Sequence, residues 1–206
     1  MKHLKMIGLA AVAAAALMAF LGAGTASATV ICKNNLNTNA CSEPYPVGTK
    51  GKASLAAGSS ALLETTAGEA LVTCTGSVIE SSLKNAGSAT TTVESNVSTM
   101  SFTGCTREVK VIKGGYAILH HIAGTDNGTL TTVETEVTVN GIFGTSCTYG
   151  AGTGMDVGIT VGGNPGSMSL NVVFPRTAGS FLCPADARFT GKYTATEPTN
   201  AWVAAG

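Results

Sequence analysis

Charge is scarce in this chain and neither sign is in excess: 12 Lys and Arg stand against 12 Asp and Glu in 206 residues. A nucleic-acid binder needs a basic face that neutralises phosphates, so that class is excluded. Aromatic residues make up 5% of the chain, too few for the two interfacial girdles of a transmembrane barrel. Of the three histidines one lies in the leader and the other two, His120 and His121, are adjacent; no Cys-x-x-Cys pair occurs, so no zinc-binding spacing is present. The sequence also lacks a G-x-S-x-G elbow, an H-E-x-x-H helix and a phosphate-cradling glycine loop. No metal or cofactor is therefore expected. Beyond residue 28 no apolar run is long enough to cross a membrane as a helix, and no window has a convincing 3.6-residue period.

What is present begins with a leader. Met1-Lys2-His3-Leu4-Lys5 is a short basic start, Met6 to Gly24 is apolar and small, and Ala26-Ser27-Ala28 has the form cut by signal peptidases. Residues 1–28 are read as a signal peptide and residues 29–206 as one secreted domain. Loss of Lys2 and Lys5 with the leader leaves ten cations against twelve anions.

All six cysteines follow the leader: Cys32, Cys41, Cys74, Cys105, Cys147 and Cys183. An even count in an exported chain reads as disulfides. Six cysteines allow 15 pairings. The sequential one is expected, with Cys32–Cys41 closing a short polar loop that has little core of its own.

Alternation carries the fold. In the segment 128–141, Thr131, Val133, Thr135, Val137 and Val139 point one way and Leu130, Thr132, Glu134, Glu136 and Thr138 the other. Period two with β-branched residues predicts one long strand, half on a core and half in water. Similar patterns recur: Ala70, Val72, Cys74, Gly76 and Val78; Tyr116, Ile118, His120 and Ile122; Met155, Val157, Ile159 and Val161; Met168, Leu170, Val172 and Phe174; Phe189, Gly191, Tyr193 and Ala195. Turn signals separate them, among them Ala57-Gly58-Ser59, Lys113-Gly114-Gly115 and Gly162-Gly163-Asn164-Pro165-Gly166. The expectation is an all-β, antiparallel sandwich or barrel-like domain of roughly ten strands, stapled by disulfides.

Few residues suggest chemistry. Glu134 and Glu136 share a face about 7 Å apart by the strand rise, within the range of an inverting glycosidase pair. A solvated strand face is the plain alternative, since catalytic pairs commonly come from different strands in a cleft. His120 is expected inward, as a core or rim histidine or a weak catalytic candidate. His121 points to the opposite face, so the two cannot hold one metal together.

The ordered motifs Val72-Thr73-Cys74-Thr75-Gly76-Ser77, Ser101-Phe102-Thr103-Gly104-Cys105, Ser146-Cys147-Thr148-Tyr149-Gly150, Leu182-Cys183-Pro184 and Ala187-Arg188-Phe189-Thr190-Gly191-Lys192-Tyr193 resemble those of uncharacterised secreted β-rich, six-cysteine proteins of actinobacteria. The resemblance implies export and disulfides, and it supplies no activity. The expected role is a non-enzymatic binding or structural module, extracellular or associated with the cell envelope, with an envelope or extracellular glycan or protein as partner. The alternatives are a secreted hydrolase acting on glycans and a membrane-inserting β-barrel.

Overall fold

A computed structural model describes residues 28–34 and 41–206. The leader expected over residues 1–28 lies, except for Ala28, outside the described residues. Fourteen strands and no helix are found among them. They are β1 (Val30–Cys32), β2 (Lys50–Leu55), β3 (Ala61–Thr65), β4 (Ala70–Asn85), β5 (Val93–Cys105), β6 (Val109–Lys113), β7 (Tyr116–His121) and β8 (Gly128–Val133). After these come β9 (Glu136–Ile142), β10 (Thr145–Gly150), β11 (Met155–Val161), β12 (Ser167–Gly179), β13 (Asp186–Glu197) and β14 (Trp202–Ala204).

The antiparallel pairings close a ring. β4 pairs with β5, β5 with β7, β7 with β8, β8 with β11, β11 with β12 and β12 with β13. β2 and β3 then lie end to end in one position between β13 and β4, bonded to both. Eight positions result, and closure leaves this wall no free edge. Between the all-β alternatives the pairing therefore gives a barrel.

A second sheet closes one end of the barrel. β12 is long enough to serve both: Ser167–Pro175 pairs with β13, and Arg176–Gly179 pairs with β10. β10, β9 and β6 follow in order. Their inner face, including Val139, Ile142, Cys147 and Tyr149, packs with Val157, Val172, Phe174 and Ala187 of the wall. The two-stranded ribbon β1–β14 sits at the other end, where Val203 and Ile31 meet Leu83, Val93 and Leu119.

The segment 128–141 is not one strand. Glu134 has φ 59°, a left-handed conformation that is uncommon for a residue with a side chain. The turn ends β8 in the barrel wall and starts β9 in the closing sheet. It also reverses the inward set: Leu130 and Thr132 face the interior before it, Thr135 and Val137 after it. Gly115 makes room for this turn. A Cβ there would lie 2.0 Å from the Val133 carbonyl oxygen, and its φ of 69° suits glycine.

Two strands change face at bulges. In β5 Ser98 is extra, since Val97 opposes Ser81 and Thr99 opposes Glu80; Ser95 and Val97 point in before it, Met100 and Phe102 after it. In β11 the register slips at Gly158, so Val157 and Thr160 face in while Ile159 and Val161 remain 47% and 42% exposed outside. β4 also changes face: Cys74 and Ser77 are both buried, and Ile79, Ser81 and Leu83 point inward where Gly76 and Val78 were expected.

The disulfides are Cys32–Cys41, Cys74–Cys105 and Cys147–Cys183, the sequential set. Each joins elements that are already neighbours. Cys74 and Cys105 are direct cross-strand partners on β4 and β5. Cys147 fixes β10 to the loop that leaves β12.

Candidate functional site

Eight strands make an interior wide enough for packed side chains or for one small ligand. Here part of the interior is open. A cavity of about 310 Å³ lies between the two packed ends. That is the lower part of the ~300–1,000 Å³ range of small-molecule sites, or room for about ten waters at ~30 Å³ each. It survives because several wall positions carry small side chains: Gly51 and Ala53 on β2, Ala117 on β7 and Ala195 on β13 all face it.

The strands shape two unlike walls. Met168, Leu170, Val172 and Phe174 line up along β12, and Phe189 on β13 meets Phe102 on β5 edge to face, 6.2 Å between ring centres. Across the ring stand hydroxyls. Ser81 on β4, Ser95 on β5 and Thr132 on β8 face the cavity. Ser95 is the direct partner of Ala117, and Ala117 of Thr132, so they form one level of the wall.

Two polar contacts are built into the lining. Tyr193 is buried and donates its hydroxyl to Ser77 Oγ at 3.0 Å. Thr132 and Thr135 are bonded hydroxyl to hydroxyl at 2.5 Å, and Thr135 donates to the Gly114 carbonyl at 2.9 Å. Charged residues appear only where β2 begins and β13 ends. Lys50, Lys52 and Glu197 stand there, with Lys52 and Glu197 direct partners. Thr49, Pro198 and Ala201 complete that mouth. Lys52 also pairs with Glu80 at 2.9 Å. The hydrogen bond, then the opposite charge, lowers the Glu80 pKa and raises that of Lys52. Both are solvated, so the pair adds little stability.

The acids and the histidine singled out in the sequence lie elsewhere. Glu134 is exposed in the left-handed turn. Glu136 begins β9 and accepts a hydrogen bond from Thr177 Oγ1 at 2.7 Å. Neither lines the cavity, and the strand that was to align them is broken between them. His120 is corrected too: Ala117 and Leu119 face the interior, which puts His120 outside with Tyr116 and Ile118. No cluster of His, Cys, Asp or Glu able to hold a metal occurs among the described residues.

Burial raises the pKa of Tyr193 and Tyr149 above the ordinary value of 10.0. The folded chain therefore holds these phenol protons more tightly than the unfolded chain does. Their contribution to stability is complete below pH ~10 and is lost as the pH climbs through the raised values. Tyrosinate absorbance and far-ultraviolet circular dichroism should consequently change together in an alkaline titration. Ionisation of all four tyrosines with the sheet signal intact would refute this.

Fold and cavity together define a class: a disulfide-stapled, all-β barrel with a mostly apolar internal chamber. No protein-family model matches the chain, and no curated protein or solved structure matches it. The cavity-facing hydroxyls that the sequence reading did not single out are Ser81, Ser95 and Thr132. Their signal was hydroxyl side chains at positions that a correct register would place inside.

Proposed function

We propose that this is a non-enzymatic binding protein that carries one small, mainly apolar molecule inside its barrel, in the extracellular space or the cell envelope. The carrying observation is the 310 Å³ chamber, enclosed by a continuous antiparallel wall and lined largely by Met, Leu, Val and Phe. Export belongs to the same proposal. Its support is the basic, apolar and small-residue leader in the sequence, together with three disulfides that favour an oxidising compartment. Kinship with the secreted actinobacterial proteins of similar cysteine pattern is proposed on the same footing.

The other readings fit less well. A glycan hydrolase built on Glu134 and Glu136 would place its acids away from the chamber. A mostly apolar interior, with charged residues only at its mouth, also suits an oily ligand better than a glycan. A membrane-inserting barrel needs an apolar outer band around a polar lumen. Here the polarity runs the other way, with Glu80, Ser82 and Lys84 of β4 and Arg188, Thr190 and Lys192 of β13 alternating with inward residues.

The test is titration of the oxidised protein, starting at residue 29, with the neutral dye Nile red, alongside native mass spectrometry before and after solvent extraction. The expected result is saturable fluorescence enhancement with one dye per chain. Absence of any saturable enhancement in extracted, folded protein would remove the proposal.

A further inference from the structure

We infer that the ligand is an uncharged lipid-like molecule with an oxygen function on one edge, an alcohol or ester rather than a pure hydrocarbon or an ion. This rests on the carrier reading above and specifies its ligand. The chamber is mostly apolar, with a few hydroxyls set into it. Ser81 and Ser95 face it from β4 and β5, and neither hydroxyl has a hydrogen-bond partner among the described residues. They are diagonal neighbours, because Ser95 opposes Leu83, two residues along β4 from Ser81. Gly51 is the direct partner of Ser81, and Ala117 of Ser95. Each hydroxyl thus has a small neighbour on one side, with Val97 beside Ser81 and Leu83 beside Ser95 on the other, so a ligand atom can approach from the β2 and β7 sides.

The proton balance says what that atom is. The Gly114 carbonyl can only accept, so the hydroxyl proton of Thr135 is committed there. The proton between the two threonines therefore comes from Thr132, whose oxygen offers the chamber lone pairs alone. Ser81 and Ser95 keep donors free. An ester, ketone or alcohol oxygen can accept from the serines, whereas Thr132, two strands from Ser95, is beyond reach of the same atom. A hydrocarbon would cover these hydroxyls and leave them unpaired. A carboxylate or ammonium would lie unpaired beside the serines, because Lys50 and Lys52 alternate with Gly51 along β2 and so leave the wall on the opposite face, where Lys52 meets Glu80.

The experiment is displacement of Nile red by octane, octanol, methyl octanoate, octanoate and octylammonium at neutral pH, on the native chain and on Ser81→Ala/Ser95→Ala. Octanol and methyl octanoate should bind the native chain about tenfold more tightly than octane. The double variant should keep its melting temperature and lose that preference, binding octanol and methyl octanoate no more tightly than octane. Preference that survives in the variant, or either ion binding more tightly than octanol, overturns the inference while the carrier reading stands. A native chain that binds no dye overturns the carrier reading itself.

Discussion

Ala117→Phe combined with Ala195→Phe should reduce binding of an apolar probe by about 100-fold or more and leave the melting temperature within a few degrees of the native value. Ala117 on β7 and Ala195 on β13 both face the chamber. In the ring β13, β2/β3, β4, β5, β7, β8, β11, β12 they stand half a circuit apart, so two rings placed there meet across the open space. Burying each ring contributes ~1.5–3 kcal/mol, against a strain of ~1–3 kcal/mol where packing is already tight. The two terms nearly offset, whereas the ligand loses its volume outright. This combination separates the chamber from the exposed apolar side chains Phe143, Phe181 and Leu182, which could also attract a dye. Phe181→Ser with Leu182→Ser should therefore leave affinity unchanged. Fluorescence titration and thermal melts of the two double variants decide the matter. Undiminished binding in the phenylalanine variant would place the dye outside the barrel.

The same geometry explains which parts of the molecule were legible in sequence. The faces of β12 and β13 were read correctly, with Met168, Leu170, Val172 and Phe174 inward and Phe189, Gly191, Tyr193 and Ala195 alternating with polar neighbours, though β12 continues past Phe174 to Gly179. Both strands run in unbroken register against each other, so period two holds over their paired length. The turn between β2 and β3 was also readable from its own residues, and the sequential cysteine pairing is the one found. Misreadings occurred where one residue changed the face. In β11 the slip between Asp156 and Gly158 transfers the following residues to the other side of the wall. Glu134 misleads most, because glutamate carries no sign of a left-handed turn; the cue lies in Gly115, distant in sequence. This split is one source of the rise from about ten strands to fourteen among the described residues. The chamber was not legible at all. A cavity is the difference between the radius of a closed ring and the volume of its inward side chains, and neither term is known until the strands are ordered.

Cys147→Ala with Cys183→Ala should lower the melting temperature by about 8–16 °C, more than Cys32→Ala with Cys41→Ala. The first bridge closes a sequence separation of 36 and the second one of 9. In the chain-entropy description these are worth about 4 and about 2.5 kcal/mol, and each kcal/mol moves the midpoint of a chain this size by ~2–4 °C. Local structure sharpens the contrast. Cys147 is fully buried and Cys183 nearly so, in the core where the closing sheet meets the barrel. β10 pairs with β12 over Cys147–Tyr149 and Arg176–Gly179, the Tyr149 hydroxyl donates to the Pro184 carbonyl, and Arg176 donates to the carbonyls of Ser180 and Cys183 to hold the departing loop. Without the bridge, that short ladder, the Tyr149 hydroxyl and one arginine anchor β10 to the wall. Amide hydrogen exchange should then accelerate in β9 and β10 before it does in β12 and β13, and dye affinity should fall as this end of the chamber loosens. Calorimetry and exchange on the two variants give the comparison directly. A larger loss from the Cys32–Cys41 variant, or exchange rising evenly round the ring, would mean that the closing sheet does not depend on its bridge.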